Sequence, residues 1–223
     1  MILTAIGLFL LTFLGNGLSY EERLRLILIL SIIELVILRI YKFSLKDIRS
    51  NYNYFNELPC YLCNQSTIMC IIAALTMDER IMSYCVTAGM IGALLAIFMP
   101  DRYNDDQPFY SRQALGFYGY HCLLISTCIG FWLLGLYHPE GKDCIYVMAF
   151  VFLLVCIAHL VNIIVRKTGL NPHANYVFTW GPENALLDRL YRMIPCRLFY
   201  MLPLLPLFGI VSYIMLEIMR IIG

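Results

Sequence analysis

Cys63 and His121 are the residues whose types and spacing point most directly to chemistry. Cys63 stands in the run Leu58-Pro59-Cys60-Tyr61-Leu62-Cys63-Asn64, eight residues into an apolar segment that begins at Phe55. His121 lies seven residues into another apolar segment, which begins at Ala114. A thiol and an imidazole at one depth make a nucleophile and its general base: the imidazole takes the thiol proton and the thiolate attacks a carbonyl carbon. A thiol with no base beside it is a poor nucleophile at neutral pH, so the pairing decides whether Cys63 is chemical or only a packing residue.

The segments that must position this pair are membrane spans. Of the 223 residues, 61% are apolar and 14% charged, and the mean hydropathy is +0.73. Soluble domains are about half apolar and a quarter charged. A span needs about 20 mostly apolar residues. Seven segments qualify: 2–18, 24–41, 55–77, 80–99, 114–137, 144–165 and 198–222. In lipid the backbone must satisfy itself, so the expected fold class is all-α, a polytopic helix bundle forming one integral membrane domain over 1–223. The apolar N-terminus lacks a basic region and a cleavage site and is expected to be a retained helix.

Seven spans place five of the 16 Lys and Arg (Arg23, Arg25, Arg80, Lys142 and Arg220) on one side and the other eleven on the side of the N-terminus. The positive-inside rule then predicts a cytoplasmic N-terminus and an external C-terminus. The expected location is a bacterial plasma membrane. A net charge of +1 and the absence of a basic tract with interleaved aromatics speak against nucleic-acid binding. The expected partners are membrane phospholipids. Nine cysteines, most of them inside apolar segments, read as small packing residues rather than as a disulfide framework.

At 1.5 Å per residue, Cys63 lies about 12 Å below the cytoplasmic boundary, His121 and Glu34 about 10 Å and His159 about 9 Å, with Asn162 shallower. Ionisable groups within spans are costly and point to function. Glu34 could equally pair with Arg39, and His159 could be a packing residue. Thr67, four residues after Cys63, shares its helix face. Asn64, Thr67, Tyr61 and Asn162 are candidates to orient the thiol or to donate to an oxyanion. Glu34, His159, Asn175 and Tyr176 are candidates to line a substrate pocket. The small residues Ala88, Gly89, Gly92, Ala93 and Ala96 predict a close helix-packing seam. Pro203 and Pro206 predict a kink in the last helix.

Other signatures are incomplete. Cys60 and Cys63 form a C-x-x-C pair, suited to thiol exchange or to half a zinc site. No second pair or His-x-x-x-His completes a metal set, and neither a metal nor a cofactor is expected. The G-x-S-x-G and H-E-x-x-H patterns are absent.

Several runs in order resemble the YwaF / transmembrane protein 164 family of multi-pass membrane proteins. They are Leu58 to Asn64, Gly92-Ala93-Leu94-Leu95-Ala96-Ile97-Phe98-Met99-Pro100-Asp101, His121, Asn162, Asn175-Tyr176, and Pro182-Glu183-Asn184-Ala185-Leu186-Leu187-Asp188 followed by Pro195. The resemblance covers about residues 55 to 210, and the first two helices match in character only. Two positions depart from the family pattern. Tyr61 stands where the pattern has His, and Leu95 where it has Gln. The resemblance implies a lipid acyltransferase with Cys63 as nucleophile and His121 as its base, because both positions match. The expected function is therefore intramembrane acyl transfer or acyl hydrolysis through a thioester on the cytoplasmic side. The alternatives are a lipid or small-molecule binder or transporter, and a thiol oxidoreductase built on Cys60 and Cys63.

Overall fold

The computed structural model describes residues 2–47, 52–98, 108, 110–183 and 185–223, and for Ile2, Leu3 and Ala5 the backbone alone. Arg49, Met99, Pro100, Asp101, Arg102 and Asn184, used above, lie outside the described residues. The described chain is helical and contains no strand. Its helices are α1 (Ile2–Gly15), α2 (Tyr20–Ser44), α3 (Leu62–Thr76), α4 (Glu79–Phe98), α5 (Arg112–Leu133), α6 (Cys144–Lys167), α7 (Ala185–Met193) and α8 (Leu204–Ile222).

Local chemistry sets the boundaries. Ser19 and Glu22 form a capping box that starts α2. The Asp78 carboxylate accepts from Arg80 N and starts α4, and the Ser111 hydroxyl accepts from Ala114 N and starts α5. Arg80 also grips Asp78 and holds its carboxyl below the ordinary range. Met77 closes α3 in the left-handed conformation, at φ 55°. Pro203 and Pro206 do not kink a continuous helix. A 3-10 turn, Leu198–Met201, precedes Pro203, and Pro206 falls in the first turn of α8, where a missing N–H costs nothing.

Among the described residues, four helices are long and apolar enough to cross a membrane: Glu79–Phe98, Arg112–Leu133, Gly141–Lys167 and Leu198–Ile222. The bundle is thus that of an integral membrane protein. α2 is long enough, at 25 residues, but carries Glu34, Arg39 and Lys42. α1 and α3 have only 14 and 15 residues. The largest departure from expectation is at α3, which begins at Leu62 and not at Phe55.

Side-chain contacts give the helix directions. Gln113 Nε2 donates to Ser44 O, and Arg23 donates to Leu134 O, so α2 and α5 are antiparallel. Gly7 faces Ser126 and Gly15 faces Leu134, so α1 runs parallel to α5. Tyr120 bonds Thr67, and the Cys70 and Cys128 sulfurs lie 3.7 Å apart, so α3 is parallel to α5. Gly89 of α4 packs on Ser66 and Cys128, and Gly209 of α8 on Met148 of α6.

The seam of small residues is tightest at Gly89, within a single π turn, Cys85–Gly89. A Cβ there would sit 2.9 Å from Cys128 Sγ and 3.4 Å from Ser66 Cβ. Both neighbours are short side chains that cannot swing aside. Gly89→Leu is expected to destabilise the bundle by about 1–3 kcal/mol through overpacking. The measurement is a lowered melting temperature in detergent, with Gly181→Ala, an open position with no atom within 4 Å of an added Cβ, as control.

Candidate active site

The approach to Cys63 is not helical. Tyr54–Asn56 forms one 3-10 turn, capped by Asn53, whose Oδ1 accepts from Phe55 N at 2.9 Å. Pro59 follows, Cys60 N donates to Leu58 O at 2.8 Å, and Tyr61 is extended, with ψ 148°. The first helical bond of α3 runs from Gln65 N to Tyr61 O at 2.9 Å. The amides of Leu62, Cys63 and Asn64 precede it and have no carbonyl partner within the helix.

This helix start is nonetheless deep. Tyr120 OH donates to Cys63 O at 3.0 Å, and Tyr120 is eight residues into α5. At 1.5 Å per residue that is about 12 Å below the start of α5. Cys63 thus lies level with Tyr120, one residue from His121, and an irregular segment and not a helix carries the chain to that level. The Tyr120 hydroxyl has one hydrogen, so it accepts from Thr67 Oγ1 at 2.9 Å. One phenol therefore fixes both the first turn of α3 and the second.

Cys63 opens on a cleft of about 170 Å³ lined by Leu38, Tyr41, Lys42, Tyr61, Cys63, Asn64, Ala96, Phe117 and His121. The Cys63 thiol donates to Asn64 Oδ1 at 3.5 Å. The His121 ring is packed against Phe117 and Tyr120, with centroids 4.5 and 4.8 Å away. Its Nδ1 lies 2.8 Å from Phe117 O. A carbonyl only accepts, so Nδ1 carries the hydrogen and Nε2 keeps its lone pair. Nε2 is buried and has no hydrogen-bond partner. The Lys42 ammonium stands 5.7 Å from the Tyr61 ring centre and pairs with Glu57 at 2.8 Å. The thiol and the imidazole line one cleft, but no hydrogen bond joins them: the thiol is directed to Asn64, and Nε2 has no partner. The first turn of α3, its positive end, and Lys42 border the same cleft.

A second, polar cavity of about 220 Å³ adjoins this cleft and shares Lys42 and Tyr61 with it. Among the described residues, Asn56, Glu57, His173, Asn175, Tyr176 and Glu183 also line it.

The candidate residues thus separate into groups. Cys63, Asn64, Tyr61 and His121 share the cleft. Thr67 sits one turn below, bonded to Tyr120. Asn175 and Tyr176 belong to the neighbouring cavity. Glu34 is fully buried beside Thr67 and Thr127 and has no ion-pair partner among the described residues. Arg39 turns away from it, to Glu57 O. His159 bonds Thr179 Oγ1 at 3.1 Å and faces Trp180. Neither Glu34 nor His159 lines the two cavities, because equal depth does not put two residues on one face of the bundle. Of the two family departures, Tyr61 lines both cavities, whereas Leu95 is half-exposed on the outside of α4.

Asn162 is not an oxyanion donor to Cys63. Its Nδ2 donates to Tyr176 O at 3.0 Å and to Thr179 Oγ1 at 2.9 Å, and its Oδ1 accepts from Tyr176 N at 2.8 Å. It clamps the Tyr176–Phe178 turn onto α6. Asn162→Ala leaves buried polar groups unpaired and is expected to cost at least about 2 kcal/mol of stability. The check is a fall in melting temperature with faster proteolysis in the 171–183 loop.

Lys42, Glu57, Tyr120 and the three amides were not found from sequence. Pro59, two residues before the cap, was the available signal that the helix starts late. No protein of curated function and no solved structure matches the chain. One family model does match, over residues 1–216, and so takes in the first two helices as well as the Cys63 and His121 segments. The chain belongs to the TMEM164 family.

Proposed function

We propose that the chain is a seven-pass acyltransferase of the membrane, with its N-terminus in the cytoplasm and Cys63 as nucleophile. α1, α3 and α5 run one way and α2 the other, α4 runs against α3 (Tyr84 on Ser66, Gly92 by Cys63), and α8 runs against α6 (Gly141 by Glu217, Gly209 by Met148), which supports seven crossings. α2 can cross despite its charges because Glu34 faces the protein interior and Arg39 and Lys42 lie toward one end. The observation that carries the chemistry is the shared cleft. A thiol at a buried helix N-terminus and an imidazole with its bare Nε2 lone pair line one space.

In this mechanism Nε2 of His121 takes the Cys63 proton and the thiolate attacks a lipid ester carbonyl. The carbonyl oxygen, now negative, is met by the amides at the start of α3, a role typically worth about 3–4 kcal/mol per donor. Collapse expels the alcohol, which leaves with the proton from His121, and an acyl thioester remains on Cys63. Attack by a second alcohol returns the thiol. A site with little water favours transfer over hydrolysis. The cleft is blind: beneath it Thr67, Cys70, Tyr120 and Cys128 are fully buried, which supports lipid chemistry over passage of a solute.

Cys63→Ser and His121→Ala are each expected to lower acyl exchange by the purified protein at least about 100-fold. The wild-type protein should carry an acyl adduct at Cys63 in its intact mass. Cys60→Ser should retain turnover, which a C-x-x-C oxidoreductase would lose. Undiminished exchange in both the Cys63 and His121 variants would sink the proposal.

A further inference from the structure

We infer that the face between α6 and α8 carries a site for one anionic phospholipid, its phosphate held by Arg166 and Arg197 beside Trp180 and an acyl chain in the groove that leads away from them. Among the described residues the groove shares no lining with the Cys63 cleft or with the polar cavity beside it. The site therefore stands whether or not Cys63 is a nucleophile.

Two guanidiniums converge on one indole. The Cζ atoms of Arg197 and Arg166 lie 3.6 and 4.6 Å from the centre of the Trp180 ring. A single cation over an indole is favourable. Two cations thus held within about 8 Å of each other repel, and an anion between them turns repulsion into attraction. Phosphate oxygens accept from guanidinium N–H groups in pairs, so one phosphate can take both side chains.

The donors are there to be taken. Arg166 gives one N–H to Ala174 O at 2.7 Å and keeps the rest. Arg197 is exposed, and among the described residues no hydrogen bond or ion pair takes its guanidinium. The level also suits a headgroup. Arg166 stands one residue from the end of α6, a helix long and apolar enough to cross the membrane. Trp180 is of the residue type favoured at the membrane boundary.

The apolar groove gives the rest of the ligand. Leu198 follows Arg197, Val177 precedes Trp180 by three residues, and both line it. Leu198 N donates to Thr179 O at 3.0 Å, which ties these two segments together. On α6 the lining continues with Val155 and Val151, one and two turns before His159, whose ring faces Trp180. On α8 it includes Phe208, and the exposed Leu202 leaves it open to lipid. Every lining residue is apolar. A basic cluster that continues into an apolar groove between helices matches a phospholipid and not a free anion. A zwitterionic headgroup brings an ammonium of its own toward the two guanidiniums, so an anionic headgroup is preferred.

The test uses the full-length protein in a nonionic detergent, titrated with dioleoyl phosphatidylglycerol or dioleoyl phosphatidylcholine, with bound copies counted by native mass spectrometry. The first copy of phosphatidylglycerol should bind at least about tenfold more tightly than phosphatidylcholine. Arg197→Gln should weaken that copy about tenfold and leave phosphatidylcholine unchanged. Arg112→Gln removes a charge just as exposed, paired with Asp47 at 3.2 Å, and should change it less than about twofold. sn-Glycerol 3-phosphate at the same concentration should not displace the lipid, because it has no chain for the groove. Displacement by it would mark a free-phosphate site and overturn the lipid assignment. Equal affinity for the two lipids, an unchanged affinity in Arg197→Gln, or equal losses in the Arg197 and Arg112 variants would overturn the site itself.

Discussion

In a membrane every backbone polar group must be satisfied without water, and the start of α3 is where this chain meets that constraint in its hardest form. The segment 54–61 reaches the level of the third turn of α5 without becoming a helix. Its groups and the first amides of α3 are tolerated there because protein surrounds them and the Cys63 cleft and the polar cavity lie against them. α2, α4 and α5 form that enclosure, and its closeness is what the small residues of α4 provide. Gly92 leaves the Cys63 amide as the nearest atom to where its side chain would begin, at 4.0 Å.

The enclosure is held from below by hydrogen bonds and not by apolar contact alone. Tyr120 ties α5 to both Cys63 and Thr67 of α3, and Tyr84 of α4 bonds Ser66 at 3.0 Å. Lipid gives helices little hydrophobic reason to associate, so close packing and interhelical hydrogen bonds carry the association. The floor of the cleft and the seam that assembles the bundle are therefore the same residues. The central polar layer has a cohesive role that extends well beyond Cys63.

What the sequence made legible follows from this. Length and hydropathy suffice to find helices, since lipid leaves few alternatives. Depth arithmetic suffices to bring Cys63 and His121 to one level, since rise per residue is fixed. Neither carries rotation about the helix axis, so neither could say that Glu34 and His159 lie outside the cleft. Asn162 was misassigned for a related reason: its three bonds go to a turn only 14 to 17 residues later in the chain, a local closure that intramembrane depth cannot reveal. The late start of α3 was hidden because Phe55, Leu58 and Cys60 are apolar enough to prolong the hydropathy signal while Pro59 prevents the helix.

The ion pair of Lys42 with Glu57 gives the irregular segment its position. Their side chains are 14% and 2% exposed, so the pair is largely withdrawn from water. Removing one member of such a pair strands the other and typically costs about 3–5 kcal/mol. Arg39 adds a bond to Glu57 O, at 3.4 Å, one turn earlier on α2. Two basic residues of α2 thus hold the turn that leads into α3, and Glu57 is their common anchor. Lys42 and Tyr61 line both the apolar-sided cleft that holds Cys63 and the polar cavity beside it. A lipid ester has the same division, with an acyl chain on one side of the carbonyl and a polar alcohol on the other. The interaction that fixes the backbone therefore also stands where the apolar lining gives way to the polar one.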